Sequence, residues 1–376
     1  MELEFSADQE ELRLGVRTFL EAECPMTLVR AVVEGKSDYL SLWSQMVELG
    51  WPALTIPETY GGLGLGVLEA AVVSEELGRV VAPGPLFPTM TQFIPALLAL
   101  GDSETKARFL GPVAQGKCTG TLALTEIGAS VDPAQVNTTA TQDGNEWVIS
   151  GKKYAVLGGL DVDEIVVVAR VSGTTGDEGV AAFIVPAQTA NPVPVAALDA
   201  TRSMATLDLN GIRVSSDRLL GEPGPESAAA LRKVIDESIT ALAIETVGTS
   251  QSIFDLTLNY AKEREQFGVP IGSFQAIKHR FADMLVLLER ARATSYFAAL
   301  TVAEDDHRRP LAVATAKAAA GDCQRKIGRE GIQIHGGIGY TWEHNMHIYV
   351  RRVLTDAQLL GSADEQRARI ADLLFV

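Results

Sequence analysis

Residues 260–275 read Tyr260-Ala261-Lys262-Glu263-Arg264-Glu265-Gln266-Phe267-Gly268-Val269-Pro270-Ile271-Gly272-Ser273-Phe274-Gln275. This segment ends one helical pattern, turns at Pro270–Gly272 and begins a second helix. Arg264 has two interpretations. It can balance the negative end of the preceding helix dipole, or its planar guanidinium can be placed to bind a phosphate group. The residues alone leave both interpretations open.

A second segment of similar character reads Gln333-Ile334-His335-Gly336-Gly337-Ile338-Gly339-Tyr340. The pair Gly336-Gly337 follows a predicted helix. Glycine at that place either caps the helix or lets a ligand approach the backbone closely. The segment is therefore a candidate for helix capping or for binding.

The hydrophobic pattern divides the chain into three parts. Residues 1–118 predict helices, with a capping box at Ser6-Ala7-Asp8-Gln9 and further helices at about 39–49, 67–81 and 88–110. Residues 119–224 predict a β domain with strands at about 121–124, 147–149, 164–169 and 180–185. Residues 225–376 predict four long helices at about 226–263, 273–304, 309–335 and 344–372. The predicted fold is α+β and multi-domain, with an N-terminal α-helical domain, a central β-barrel-like domain and a C-terminal four-helix bundle.

The composition disfavours several classes of protein. With 376 residues, 47% of them hydrophobic, the chain can form two or three globular domains. A net charge of −16 argues against nucleic-acid binding. The acidic start and the absence of a long apolar run predict no signal peptide, no membrane span and a cytoplasmic location. The three cysteines are far apart, and His344 and His347 lack a third ligand nearby, so no metal is expected.

The two glycine-containing segments, together with Ala282-Asp283-Met284, resemble the C-terminal signature of the acyl-CoA dehydrogenases. Leu124-Thr125-Glu126 followed by Gly128-Ala129-Ser130, and Gly151-Lys152-Lys153, are similar to the middle-domain motifs of that family. The order and spacing of these motifs also agree, over essentially the whole chain. The ending, Gly337–His344 with Arg351-Arg352, looks like the actinobacterial branch that includes steroid-side-chain enzymes.

The resemblance implies an FAD-dependent enzyme that forms dimers or tetramers and passes electrons to an electron-transfer flavoprotein. It implies that Arg264 and Gln275 contact the FAD pyrophosphate, with Phe267 nearby. Gln333, Gly336 and Gly337 would contact the adenosine half of FAD from across the subunit interface. Leu124 and Thr125 would bind the isoalloxazine ring, and Ser130 would lie near the acyl-CoA. The implied reaction removes the α-proton of a thioester with a carboxylate and transfers the β-hydrogen as hydride to the flavin.

The carboxylate that should act as the base is missing from both positions where the family keeps it. Counting along the motifs, one position falls on Leu360 and the other on Ser238. Glu237 precedes Ser238, but one residue is about 100° of helix, so Glu237 faces the site only if the helix is wound differently there. Glu245 lies two turns further on the same face as Ser238. Ala155-Val156-Leu157-Gly158 also replaces a Trp-x-Thr-Asn stretch that many relatives place at the flavin.

Three explanations of the missing carboxylate compete. Glu237 can be the base, Glu245 can reach the substrate, or the chain is the non-catalytic subunit of a heteromer whose sister subunit carries the glutamate. Both acids also have structural interpretations, Glu237 as an exposed helix residue and Glu245 as half of a buried ion pair. We take Glu237 as the predicted base. A flavin enzyme of another kind, such as an acyl-CoA oxidase or a nitroalkane-oxidase-like enzyme, is a further alternative.

Overall fold

The structure is a computed structural model that describes residues 5–128 and 130–375. Its N-terminal part is helical, and the capping box at Ser6 is confirmed because Ser6 and Gln9 each accept the other's backbone N–H. The α-helices of this part are α1 Ala7–Glu23, α2 Met26–Val33, α3 Leu40–Glu48, α4 Val67–Arg79, α5 Leu86–Pro88, α6 Ile94–Leu100 and α7 Ser103–Ala114.

The single helix predicted at about 88–110 is wrong. A π-helical turn, Thr89–Phe93, separates α5 from α6, and α7 starts afresh after Asp102, whose side chain accepts the N–H of Thr105. Pro95 has no N–H to donate to the carbonyl of Thr91 four residues earlier. That carbonyl accepts a hydrogen bond from the Ser238 hydroxyl instead, at 2.9 Å. The break therefore ties this segment to a C-terminal helix.

The central part consists of two sheets that pack face to face. Its strands are β1 Gly120–Ala123, β2 Thr139–Asp143, β3 Glu146–Ser150, β4 Lys152–Leu157, β5 Glu164–Val171, β6 Val180–Pro186, β7 Pro192–Pro194, β8 Met204–Asp208, β9 Ile212–Ser215 and β10 Leu219–Leu220. The larger sheet has the order β10-β6-β5-β2-β3-β9, with β1 parallel to β5, and the smaller has the order β4-β8-β7. In β5, Ile165 and Val167 face the smaller sheet, whereas Val166 and Val168 face the helices. The larger sheet therefore has two apolar faces, one packed against the smaller sheet and one against the helices.

The C-terminal part is again helical, beyond a short hairpin formed by β11 Glu265–Gln266 and β12 Val269–Pro270. Its helices are α8 Pro225–Glu263, α9 Gln275–Ala303, α10 Arg309–His335, α11 Met346–Asp356 and α12 Ala363–Phe375. The single helix predicted at about 344–372 is wrong. The chain breaks between α11 and α12, where Leu360 and Gly361 have φ angles of 54° and 91°, values that no right-handed helix accepts. The α+β architecture of helical, β and helical domains is confirmed, and its exact domain limits remain a prediction.

Helices α4 and α8 cross with their backbones almost in contact. A Cβ atom on Gly78 would lie 2.1 Å from the carbonyl oxygen of Glu245, and one on Gly248 would lie 1.9 Å from that of Glu75. Only glycine leaves room for this approach. The crossing fixes the N-terminal domain against the middle of α8.

A buried cluster of charges joins the three domains beside this crossing. The Glu245 carboxylate accepts hydrogen bonds from Arg202 of the β domain and from Arg352 of α11, the latter at 2.8 Å. Arg352 also donates to Asp199 at 2.7 Å and to the backbone of Val81, and Arg202 donates to Asp356 at 3.0 Å. These charged groups are almost fully buried, so each depends on its partners for solvation.

No helix in the described ranges 5–128 and 130–375 is both long and apolar enough to span a membrane.

We expect Arg352→Met to lower the free energy of unfolding by about 3–5 kcal/mol, because it leaves Glu245 and Asp199 buried without their cation. Thermal or urea unfolding of the purified protein measures the change. The control is Arg213→Met, which removes half-exposed ion pairs to Asp143 and Glu146 and should cost at most about 1 kcal/mol. Equal effects of the two substitutions would contradict the role given to the buried cluster.

Candidate functional site

The candidate site is a narrow cleft where the β domain meets α8 and the break between α11 and α12. We call it the central cavity and define it by its lining residues, which are Phe87, Gln92, Leu122, Leu124, Thr125, Tyr154, Ala155, Val156, Leu157, Leu242, Leu359 and Leu360. The lining is largely apolar, and among the described residues no carboxylate belongs to it. Two of the residues predicted to bind a cofactor, Leu124 and Thr125, lie here.

Two residues on the wall of the central cavity have unusual backbone conformations. Ala155 and Leu360 have φ angles of 51° and 54°, which cost energy for residues other than glycine. At Ala155 the strand β4 slips its register against β8, as in a β-bulge. Strain of this kind tends to concentrate at functional sites.

A buried ion pair holds the end of β1 in place beside the cavity. The ammonium of Lys153 is fully buried and donates to the carbonyl of Leu124 at 3.1 Å and to the Glu126 carboxylate at 2.7 Å. Glu126 also accepts the N–H and hydroxyl of Thr138. Burial would raise the pKa of Glu126, but Lys153 and these donors hold it at about 2, while burial lowers the pKa of Lys153 to about 8.

The hydroxyl of Thr125 has no hydrogen-bond partner among the described residues, although the side chain lines the cavity. The Thr125 carbonyl is engaged by the N–H of Tyr154 at 2.9 Å. The ion pair and this bond fix the backbone of Leu124 and Thr125. A free hydroxyl is thereby held at the wall of the cavity, available to a ligand.

Glu237 lies in a second cleft, one turn earlier on α8. We call it the Glu237 cavity, and it is lined by Val67, Ala70, Ala71, Met90, Thr91, Glu237, Thr240, Ala241 and Ile244. The side chain is partly buried, and no described residue forms a hydrogen bond or ion pair with its carboxylate. Burial raises the pKa of this carboxyl to about 7. An acid of this kind in an apolar cleft can accept a proton near neutral pH.

The altered helix winding that Glu237 would need to face the same site as Ser238 is absent, and Glu237 lines its own cavity instead of the central cavity. Helix α8 runs without a π or 3₁₀ interruption from Pro225 to Glu263. Ser238 faces the π-helical turn through its bond to Thr91, and Glu237 faces the gap between the same turn and α4. Glu237 also lines a larger opening of about 330 Å³ on its outer side, between α4, α6 and α8.

Glu245 cannot act as the base in this arrangement. Its carboxylate is bound on both oxygens by Arg202 and Arg352, as a buried ion pair requires. The interpretation of Glu245 as half of a buried ion pair is confirmed, but the sequence could not identify its partners because both arginines are distant in the chain.

The other predicted cofactor residues lie on the surface, away from the central cavity. Arg264 is exposed and forms no ion pair with any described residue, Phe267 is 94% exposed with a φ of 56°, and Gln275 begins α9. Gln333, Gly336 and Gly337 are exposed at the end of α10. Tyr260 stacks on His335 with ring centroids 4.4 Å apart, so the two groups lie at the same end of the C-terminal helices. None of the six lines the central cavity.

Ser130 is exposed, and its hydroxyl accepts the N–H of Asp132 at 3.1 Å. It lies outside the central cavity and the Glu237 cavity, so its contact with a substrate stays a prediction. Its neighbour in the predicted motif, Ala129, lies outside the described residues.

Sequence reasoning missed several polar residues at the site, among them Gln92, which lines the central cavity, and Lys153, which lies beside it. Gln92 could have been noticed as an amide within the apolar run from Leu86 to Leu100, where a polar residue needs partners. The sequence indicates Lys153 only as part of a motif, and nothing in it shows that this side chain is buried against Glu126. In the described residues no group of three or more His, Cys, Asp or Glu side chains is arranged to hold a metal ion.

Comparison with known proteins covers the whole chain. Residues 6–117, 121–216 and 229–375 match the N-terminal, middle and C-terminal domains of acyl-CoA dehydrogenases. The chain is 35% identical over 366 residues to the acyl-CoA dehydrogenase IpdE2 of Mycobacterium tuberculosis, covering 96% of each chain.

Among solved structures, butyryl-CoA dehydrogenase from Megasphaera elsdenii has a TM-score of 0.91 at 25% identity and full coverage of both chains. A chain of the ChsE4–ChsE5 complex from Mycobacterium tuberculosis has a TM-score of 0.89 at 28% identity, with 100% of this chain and 99% of that chain covered. With the identity to IpdE2 and the three domain matches, these likenesses show that the chain belongs to the acyl-CoA dehydrogenase family of oxidoreductases.

Proposed function

We propose that the chain catalyses the α,β-desaturation of an acyl-CoA thioester with FAD as cofactor, and that Glu237 removes the α-proton. The observation that carries the assignment of the base is the unpaired, partly buried Glu237 carboxylate with a pKa near 7. Unpaired buried acids are costly, and perturbed acids cluster at active sites. Electrons would then pass to an electron-transfer flavoprotein.

The residues present fit FAD. Thr125 offers a hydroxyl without a partner in the central cavity, and Arg264 offers a guanidinium without an ion pair. Gln275 stands at the start of α9, where free backbone N–H groups favour a phosphate. Leu124 and Thr125 would hold the ring, and Arg264 and Gln275 the pyrophosphate. Because these two groups lie apart in one chain, the proposal includes an assembly in which a second subunit completes each site.

The cofactor and the protein chain carry out different parts of the reaction. When bound, FAD supplies the acceptor for the hydride that leaves the β-carbon. The Glu237 carboxylate takes the α-proton, and the electron pair of that C–H bond forms the new double bond. The apolar side chains on the inner side of Glu237 desolvate its carboxylate in part and so keep it a stronger base than it would be in solution, while its outer side faces the larger opening.

We expect kcat/KM to fall about tenfold per pH unit below pH 7 and to reach a plateau above it, because only the deprotonated Glu237 accepts a proton. Glu237→Gln should lower kcat by about 10²–10⁴-fold, and Glu237→Asp should retain part of the activity with a shifted pH profile. Glu245→Gln is not a suitable control because it breaks the buried cluster. An unchanged rate in Glu237→Gln would refute the assignment.

We expect Arg264→Ala to weaken FAD binding by about ten- to a hundredfold, because a hydrogen bond to a charged group contributes roughly 1.5–3 kcal/mol. Two measurements report the loss of FAD affinity. One is the ratio of protein to flavin absorbance after gel filtration, and the other is a titration of the apoprotein with FAD. Arg108→Ala is the matched control, since it removes an exposed arginine that is paired with Asp217. Equal FAD retention in both variants would count against the predicted phosphate contact.

A second candidate function is that of a catalytically silent subunit that completes the FAD site of a partner. It is favoured by Leu360, which lines the central cavity in the place where the family pattern expects a glutamate, and by the lack of any carboxylate in that lining. The likeness to a chain of the ChsE4–ChsE5 complex is consistent with an assembly of different subunits.

Leu360→Glu distinguishes the two candidates. If the chain is silent only because it lacks a base, the substitution should give acyl-CoA-dependent bleaching of the flavin where the original protein gives none. If Glu237 is the base, acyl-CoA bleaches the flavin of the unaltered protein, and Leu360→Glu does not increase this bleaching. Anaerobic absorption spectra of both proteins, purified without any partner, decide between these results.

A further inference from the structure

Gln92 presents an unused hydrogen-bond donor to the central cavity. Its side chain is 4% exposed and lies on the π-helical turn Thr89–Phe93. The amide oxygen accepts the backbone N–H of Leu122 at 3.3 Å and lies 2.9 Å from the Thr121 hydroxyl. A backbone N–H can only donate, so it fixes which end of the amide is oxygen. The amide nitrogen of Gln92 must then point away from the Leu122 N–H and the Thr121 hydroxyl.

The amide nitrogen of Gln92 donates to no acceptor in the described part of the chain. This nitrogen is not one of the fully buried side-chain atoms that lack a partner, so it reaches the open space of the cavity. Gln92 lines the central cavity, so a bound molecule can supply the missing acceptor. Since an amide nitrogen carries only protons to donate, that acceptor must be a lone-pair atom such as oxygen.

The position of Gln92 indicates which molecule carries this oxygen. The two residues before it, Met90 and Thr91, line the Glu237 cavity, and its amide bonds to Leu122, two residues before Leu124. Gln92 therefore stands between the proposed base and the residues proposed to hold the flavin ring. The reaction requires the acyl group to lie between these two.

We propose that Gln92 is a specificity residue that donates a hydrogen bond to an oxygen on the acyl chain, beyond the thioester carbonyl. The substrates are then oxo- or hydroxy-substituted acyl-CoA thioesters rather than plain alkanoyl-CoA thioesters. This inference rests on the proposed function. An analogue that lacks the acceptor would cover the Gln92 amide nitrogen, remove it from solvent and leave it unpaired, so the site disfavours that analogue.

The test compares matched pairs of thioesters, 4-oxopentanoyl-, 5-oxohexanoyl- and 6-oxoheptanoyl-CoA against pentanoyl-, hexanoyl- and heptanoyl-CoA. We expect kcat/KM to favour one oxo member over its plain partner by about ten- to a hundredfold. Binding constants from calorimetry should show the same preference, and they do not depend on turnover.

Two variants at Gln92 test the donor itself. Gln92→Met removes the amide at similar size and should bring the ratio of oxo to plain substrate close to one. Gln92→Glu keeps an oxygen for the Leu122 N–H and, when its carboxyl is ionised at alkaline pH, replaces the donor by an acceptor, so it should reverse the preference there. Gln115→Met, which removes the amide of an exposed glutamine outside both cavities, should leave the ratio unchanged. Melting temperatures confirm that each variant is folded.

The outcomes separate this inference from the proposed function. If plain and oxo thioesters react equally and Gln92→Met slows both alike, the inference is overturned while the proposed function stands. The inference is also overturned if Gln92→Met changes FAD affinity and leaves the substrate ratio alone, since the amide then serves the cofactor. If no thioester bleaches the flavin, the proposed function fails, and equal binding of both members of every pair would overturn the inference as well.

Discussion

The carboxylate of Glu245 is bound by Arg202 of the β domain and Arg352 of α11, at the point where α8 crosses α4 with glycine against backbone. Three domains thus meet at one buried cluster of ion pairs. Removing any one charge would leave its partners without solvation. The central cavity and the Glu237 cavity both open along α8 just before this point, so the cluster fixes the walls between which a thioester would lie.

Local departures from regular structure shape the site itself. Pro95 frees the carbonyl of Thr91, which Ser238 then binds, and the resulting π-helical turn points Gln92 and Thr91 toward the two cavities. Two residues with strained backbone conformations, Ala155 and Leu360, also line the central cavity. Such features cost stability, and the surrounding packing must hold them. Their concentration around one cleft is what a preorganised binding site requires.

Periodicity and ordered motifs predicted the architecture, because buried strands and long amphipathic helices leave clear patterns in the sequence. These patterns failed where a single residue determines the local backbone conformation. The π-helical turn before Pro95 and the break at Leu360 both interrupt patterns that read as continuous helices. The partners of Glu245 and Lys153 could not be predicted, since Arg352 lies 107 positions from Glu245 and Lys153 lies 27 from Glu126. The orientation of Glu237 toward a cleft likewise depends on where α4 crosses α8.

The central claim is that this chain carries its own base, and exchange of the α-proton tests it without any redox step. A 3-thiaacyl-CoA has sulfur in place of the β-carbon, so the enzyme can remove and return its α-proton but cannot oxidise it. In D₂O, mass spectrometry of this thioester should show deuterium incorporation with the purified chain alone and only background exchange with Glu237→Gln. Exchange that persists in Glu237→Gln would contradict the account, as would its absence from the unaltered chain.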